Sequence, residues 1–141
     1  MEDIIEFHSL MEDFELPSPS TTASWLIKVA DEFNGRIAGI TYVFCSDEYL
    51  LEMNKEHLDH DYFTDILTFP LHEKGQDIQS DIFISLDRVR ENAANLGFSF
   101  QDELDRVMVH GLLHLLGQDD HGDANQKKMR AAEDHALALR V

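Results

Sequence analysis

His110-Gly-Leu-Leu-His114-Leu-Leu-Gly117-Gln-Asp119-Asp120-His121 sets two histidines four residues apart in an apolar run, then a glycine and a knot of Asp, Asp and His. On a helix, positions i and i+4 lie one turn apart on one face. Two imidazoles so presented can share one divalent metal. Gly117 can close the helix in a left-handed conformation, and the chain can then fold back with a third ligand. Three protein ligands and an open position make the usual catalytic zinc site. A lone histidine in an apolar helix is ordinarily a hydrogen-bonded core ring. Two at this spacing, followed by a turn and further donors, point to a metal instead. Val107, Met108 and Val109, with Leu112, Leu113, Leu115 and Leu116, make the helix apolar nearly all round, so it is expected to be buried.

Working outward, Ser99 is placed to cap this helix, which the spacing predicts over 101–116. Glu103 reads as a first-turn acid. A last helix follows over 124–139, burying Met129, Ala132 and Ala136. Upstream, 87–96 reads as a helix capped by Asp87 and ended by Gly97. Residues 66–71 and 81–86 read as strands of an antiparallel hairpin with a longer loop. Ser46 or Asp47 caps a helix running to about Lys55, and 57–64 is a polar loop. Residues 36–46 form a strand. A helix carrying Trp25, Leu26, Val29, Ala30 and Phe33 starts at one of Ser20, Thr21 or Thr22 and stops at Asn34-Gly35. Residues 3–7 form a short first strand. The order β-α-β-α-β-β-α-α-α predicts an α+β fold.

The chain has 141 residues, 43% of them hydrophobic, which fits a single domain spanning 1–141 with one core. Its acidic start, Met1-Glu-Asp-Ile-Ile-Glu6, lacks the basic region of a secretory signal. No apolar run is long enough to span a membrane. The one cysteine, Cys45, excludes an internal disulfide and reads as a strand residue. A cytoplasmic protein is expected. The 28 acidic residues against 11 basic ones give a formal charge of -17. Such a chain repels nucleic acid at long range, so composition alone argues against an RNA enzyme. The basic residues cluster in two places, Arg88 with Arg90, and Lys127 and Lys128 with Arg130, either of which can form a local patch.

The zinc-peptidase motif H-E-x-x-H is the nearest comparison for the two histidines. Gly111 stands where its glutamate would be, so the internal base of a peptidase is missing. A metal-bound water acting with some other acid or base is left as the reactive group.

The chain resembles the YbeY family of bacterial metal-dependent endoribonucleases. HGLLHLLGQDDH is similar to that family's H-G-x-L-H-L-x-G-x-D-H. Asn54, followed by Thr64-Asp65-Ile66-Leu67-Thr68-Phe69-Pro70, is similar to its N-(x)9-T-[ND]-V-L-S-F-P. Ser80-Asp81-Ile82-Phe83-Ile84 is similar to its G-D-I-x-I strand, and Glu103 with Arg106-Val107-Met108-Val109 precedes the first histidine as in the family. The resemblance, covering about 50–121, implies a four-stranded sheet flanked by helices and cleavage of single-stranded RNA. It implies a role in maturation of the small-subunit ribosomal RNA 3′ end and in ribosome quality control. Ribosomal RNA and the ribosome are then the partners, and neither DNA nor a membrane is expected. Zinc, or another divalent ion, is the implied cofactor, held by His110 and His114. Together with Asp65 these are the catalytic candidates; Asp81 and Arg88 are candidates for contacting substrate. The family's third histidine falls six residues after the second, where this chain has Asp120, with His121 next. Either the turn is one residue longer and His121 coordinates, or Asp120 does. Family members often carry an arginine four residues after the Asn; here that position is Leu58. His57 or His60 can take part of its phosphate role only when protonated. A metal hydrolase of another substrate, and a ribosome-associated protein with a structural metal, are the alternative readings.

Overall fold

The computed structural model describes residues 4–58 and 64–140. Strands β1 (Ile5–Ser9), β2 (Ile37–Cys45), β3 (Ile66–Pro70) and β4 (Ile78–Ser85) form one sheet in the order β1-β2-β4-β3. The first three neighbours run parallel, and β3 runs antiparallel to β4. Helices α1 (Pro19–Glu32), α2 (Asp47–Leu58), α3 (Leu86–Leu96), α4 (Phe100–Leu115) and α5 (Asp123–Ala138) complete the α+β fold in the expected order.

Alternation in the strands decides which helices each face receives. Ile40, Tyr42, Phe44, Ile82 and Ile84 lie on one face and make the main core with Leu26 and Val29 of α1 and Met108, Leu112 and Leu113 of α4. Cys45 and Leu67 lie on the other face, with Phe69 and Phe83, and pack with Leu50 and Met53 of α2. Cys45 is fully buried, its thiol pushed up to about 12 mainly by that burial. The Tyr42 hydroxyl donates to the Met108 carbonyl at 2.9 Å, and the Trp25 indole N–H donates to the Ala136 carbonyl at 2.9 Å. The first bond ties β2 to α4, and the second ties α1 to α5.

Several boundaries differ from the sequence reading, each for a local reason. Helix α1 opens at Pro19, whose fixed φ suits a first helical position, with Ser18 before it at φ 50°. Helix α2 continues to Leu58, its Ser46 hydroxyl accepting from the Tyr49 N–H. Strand β4 begins at Ile78, whose N–H reaches the Arg36 carbonyl at 2.8 Å, three residues earlier than its apolar run suggests. Ser85, not Asp87, caps α3 by accepting from the Arg88 N–H. Among the described residues, no helix is long and apolar enough to cross a membrane.

Candidate metal centre

Helix α4 is capped as its sequence predicts, the Ser99 hydroxyl accepting from the Asp102 N–H at 3.1 Å. It is not buried all round: one flank, bearing His110 and His114, opens toward α5 and the turn that follows. His114 is exposed, and His110 is about a quarter exposed. At its C-terminus the Gly117 N–H reaches the His114 carbonyl and the Gln118 N–H reaches the Leu113 carbonyl. That pair of bonds is the Schellman closure, and Gly117 supplies the φ of +102° it needs. The chain therefore turns back over the last turn of α4, carrying 119–121 toward the histidines.

Asp119, Asp120 and His121 bring their donor atoms within 4.8 Å of one another. The first two have different surroundings. Asp119 is spent on the turn: its Oδ1 accepts from the His121 N–H at 3.0 Å, and its Oδ2 from the Asn125 side chain at 3.4 Å. The first of these bonds holds its carboxyl below the usual range. Asp120 instead points its Oδ2 at the Nε2 of His110, 3.5 Å away. His110 thus joins the cluster through Asp120.

The other nitrogen of His110 is engaged from α5. Glu133 Oε2 lies 2.7 Å from Nδ1, and Glu133 Oε1 accepts from Arg106 Nη1 at 2.8 Å. Arg106 extends its second arm to Asp134 at 2.7 Å. The hydrogen bond to Glu133 raises the His110 pKa against the opposing effect of burial. Burial disfavours the charge on Glu133, but its bonds to His110 and Arg106 hold its carboxyl below the usual range.

Asp65 enters from the start of β3. Burial pushes its carboxyl up, while His110 is near enough to pull it down and Glu133 to push it further. Glu103 is not the surface acid its helix position suggests. It is 5% exposed, and its Oε1 has no hydrogen-bond partner among the described residues. Burial, and then Asp65, raise its pKa. Glu103, Asp65, His110 and Glu133 therefore form one electrostatic neighbourhood.

Two residues expected at the substrate side are not brought to this cluster. Ile82 faces Gly111 of α4, so Asp81 faces the opposite side of the sheet, in a shallow recess with Glu6, Thr41, Leu71 and Gln79. Arg88 is locked at the start of α2, its Nε 3.2 Å from both Asp47 oxygens and its Nη2 3.1 Å from Glu91. Leu58 ends α2; His57 is exposed, its ring edge-on to Phe69; His60 lies outside the described residues. Glu133 escaped the sequence reading. Its signal was an acid four residues after Met129 and three before Ala136, within the buried stripe of α5.

The model of the family described as Endoribonuclease YbeY matches residues 11–139. The chain belongs to the YbeY endoribonuclease family. Endoribonuclease YbeY of Cytophaga hutchinsonii is 45% identical over 139 residues, covering 99% of this chain and 97% of that protein. The protein of the same name from Bacteroides thetaiotaomicron is 46% identical over 119 residues, covering 84% of this chain and 86% of that one. A solution structure of a Thermotoga maritima protein superposes with a TM-score of 0.66 at 26% identity, over 96% of this chain and 87% of that one. Family membership supports an endoribonuclease with RNA as its substrate. Within the family's frame, the His/Asp cluster after α4 is the candidate metal site.

Proposed function

We propose that the protein is a metal-dependent endoribonuclease that cuts single-stranded RNA, with His110, His114 and Asp120 holding one divalent ion. The observation that carries the ligand set is the posture of His110, with Nδ1 taken by Glu133 and Nε2 facing Asp120 at 3.5 Å. The donor set fits the ion. Imidazole nitrogens with a carboxylate oxygen suit zinc, the first choice among divalent metals. Asp65, Asp120 and Glu133 also crowd the site with negative charge that would repel a phosphate unless a cation offset it. Asp120 is preferred to His121 because it is the turn acid that reaches His110, and because it stands six residues after His114.

An ion held by His110, His114 and Asp120 would supply Lewis acidity toward water and a phosphoryl oxygen. The chain's own groups do the rest. Asp65, half-buried and near enough to His110 to feel its charge, is placed to take or return a proton. The exposed flank of α4 and the adjoining end of β3 leave an approach open to an unpaired strand, which can splay out its bases where a duplex cannot. Ribosomal RNA, in 3′-end maturation of the small subunit and in ribosome quality control, is the substrate proposed, which places the protein in the cytoplasm.

The test is cleavage of labelled single-stranded and duplex RNA by the purified chain, before and after chelation, with metal content measured in parallel. Single strands should be cut, cutting should stop with chelator, and zinc should restore it. His114→Ala and Asp120→Ala should lose the ion, while His121→Ala keeps it. Full metal content in all three variants, or cutting indifferent to chelator, would refute the proposal.

A further inference from the structure

We propose that Glu133 is the positioning residue of the centre: it holds the proton of His110 on Nδ1 and thereby aims the Nε2 lone pair at the site. The ligand-affinity part of this proposal rests on the metal reading above; the proton placement does not. A neutral imidazole carries its one proton on either nitrogen, and the bond made by one nitrogen decides what the other presents. A carboxylate can only accept. Carboxylates face both nitrogens, but Glu133 Oε2 is at 2.7 Å from Nδ1, within hydrogen-bond distance, and Asp120 Oδ2 at 3.5 Å from Nε2, so the nearer acceptor takes the one proton of the neutral ring on Nδ1.

The acceptor is itself fixed. Glu133 is 6% exposed, so it has little water to exchange partners with. Its second oxygen is pinned by Arg106 at 2.8 Å, and Arg106 is pinned in turn by Asp134 at 2.7 Å. Consecutive acids on α5 thus take the two arms of one guanidinium from α4, and only the buried one also meets the ring. If the purpose were merely to fasten α4 to α5, the Arg106–Asp134 contact would serve, and Glu133 would need no bond to His110. Outer carboxylates that orient a ligating histidine in this way typically contribute about 10- to 100-fold to metal affinity.

Two measurements test this on the full-length chain. Long-range proton–nitrogen spectra of the metal-free protein, at alkaline pH where the ring is neutral, report which nitrogen of His110 is protonated. Nδ1–H is expected in the wild type. Nε2–H there overturns the proposal, and no variant is needed to read it. Zinc affinity is then measured by chelator competition. Glu133→Ala should weaken binding about 10- to 100-fold. Glu133→Gln keeps the length but offers one acceptor oxygen to two donors, Arg106 and Nδ1, so it too should lose Nδ1–H and bind zinc more weakly than wild type. Asp134→Ala, which removes only the outer arm of Arg106 and leaves Glu133 on the ring, should lose much less than Glu133→Ala. Equal affinity across wild type and both Glu133 variants overturns the proposal, as does an equal loss in Glu133→Ala and Asp134→Ala. A wild type that takes up no zinc defeats the metal reading instead, while the tautomer still decides this one.

Discussion

A Cβ on Gly111 would lie 2.8 Å from the Ile66 Cδ1 methyl and 3.5 Å from that of Ile82, so α4 rests on the sheet here by its backbone. This explains the departure from H-E-x-x-H in structural terms. The position after the first histidine faces the apolar sheet, where a glutamate would be buried without a partner. Gly111→Val should lower stability by about 1–3 kcal/mol through overpacking, read as a lower denaturation midpoint with an unchanged denaturant slope. An unchanged midpoint would mean that α4 has room to rise off the sheet. The neighbouring acids divide their tasks just as sharply. Asp119 shapes the turn and Asp120 faces the ring, a distinction of hydrogen-bond partners that two adjacent identical letters cannot convey.

At the level of elements, the centre is a helical hairpin. Helix α4 presents the imidazoles, the Schellman turn returns the chain, and α5 brings Glu133. The Ser99 cap stabilises the far end of α4, so Ser99→Ala should cost about 1 kcal/mol in chemical denaturation; no loss would show that Glu103 and Asp102 suffice there. Much of this hairpin was legible beforehand. The i, i+4 histidines, the Ser99 cap and the Gly117 stop all follow from local chemistry, as does the antiparallel pairing of β3 with β4. What was not legible depends on partners far away in sequence. The polar start of β4 becomes strand because the Arg36 carbonyl waits for Ile78. Asp81 lies in a segment matched to the family and Arg88 in a basic pair, yet Asp81 faces the opposite side of the sheet and Arg88 the acids Asp47 and Glu91. Glu103 read as a first-turn acid and Glu133 went unnoticed, because burial of a helix carboxylate is set by the neighbouring elements.

For the whole molecule the formal charge of -17 dominates. An endoribonuclease of this composition has no broad basic field with which to gather RNA, so few phosphates should be neutralised on binding. The predicted consequence is weak salt dependence. In the presence of zinc, the log–log slope of affinity for a single strand against salt should be shallower than about -3, the value for some four phosphate contacts. Fluorescence anisotropy across a salt series measures it. A slope near -6 would reveal a cationic track that the exposed Lys127, Lys128 and Arg130 are the first residues to test for.

The order of the chain has one more implication. All four strands are finished by Ser85, whereas the proposed donors begin at His110 and their aiming acid comes at Glu133. A copy truncated just after Ser85 would carry every described strand but lack both the proposed donors and the α4 side chains Met108, Leu112 and Leu113 that complete the main core. On the proposed reading such a copy should neither fold nor cut RNA.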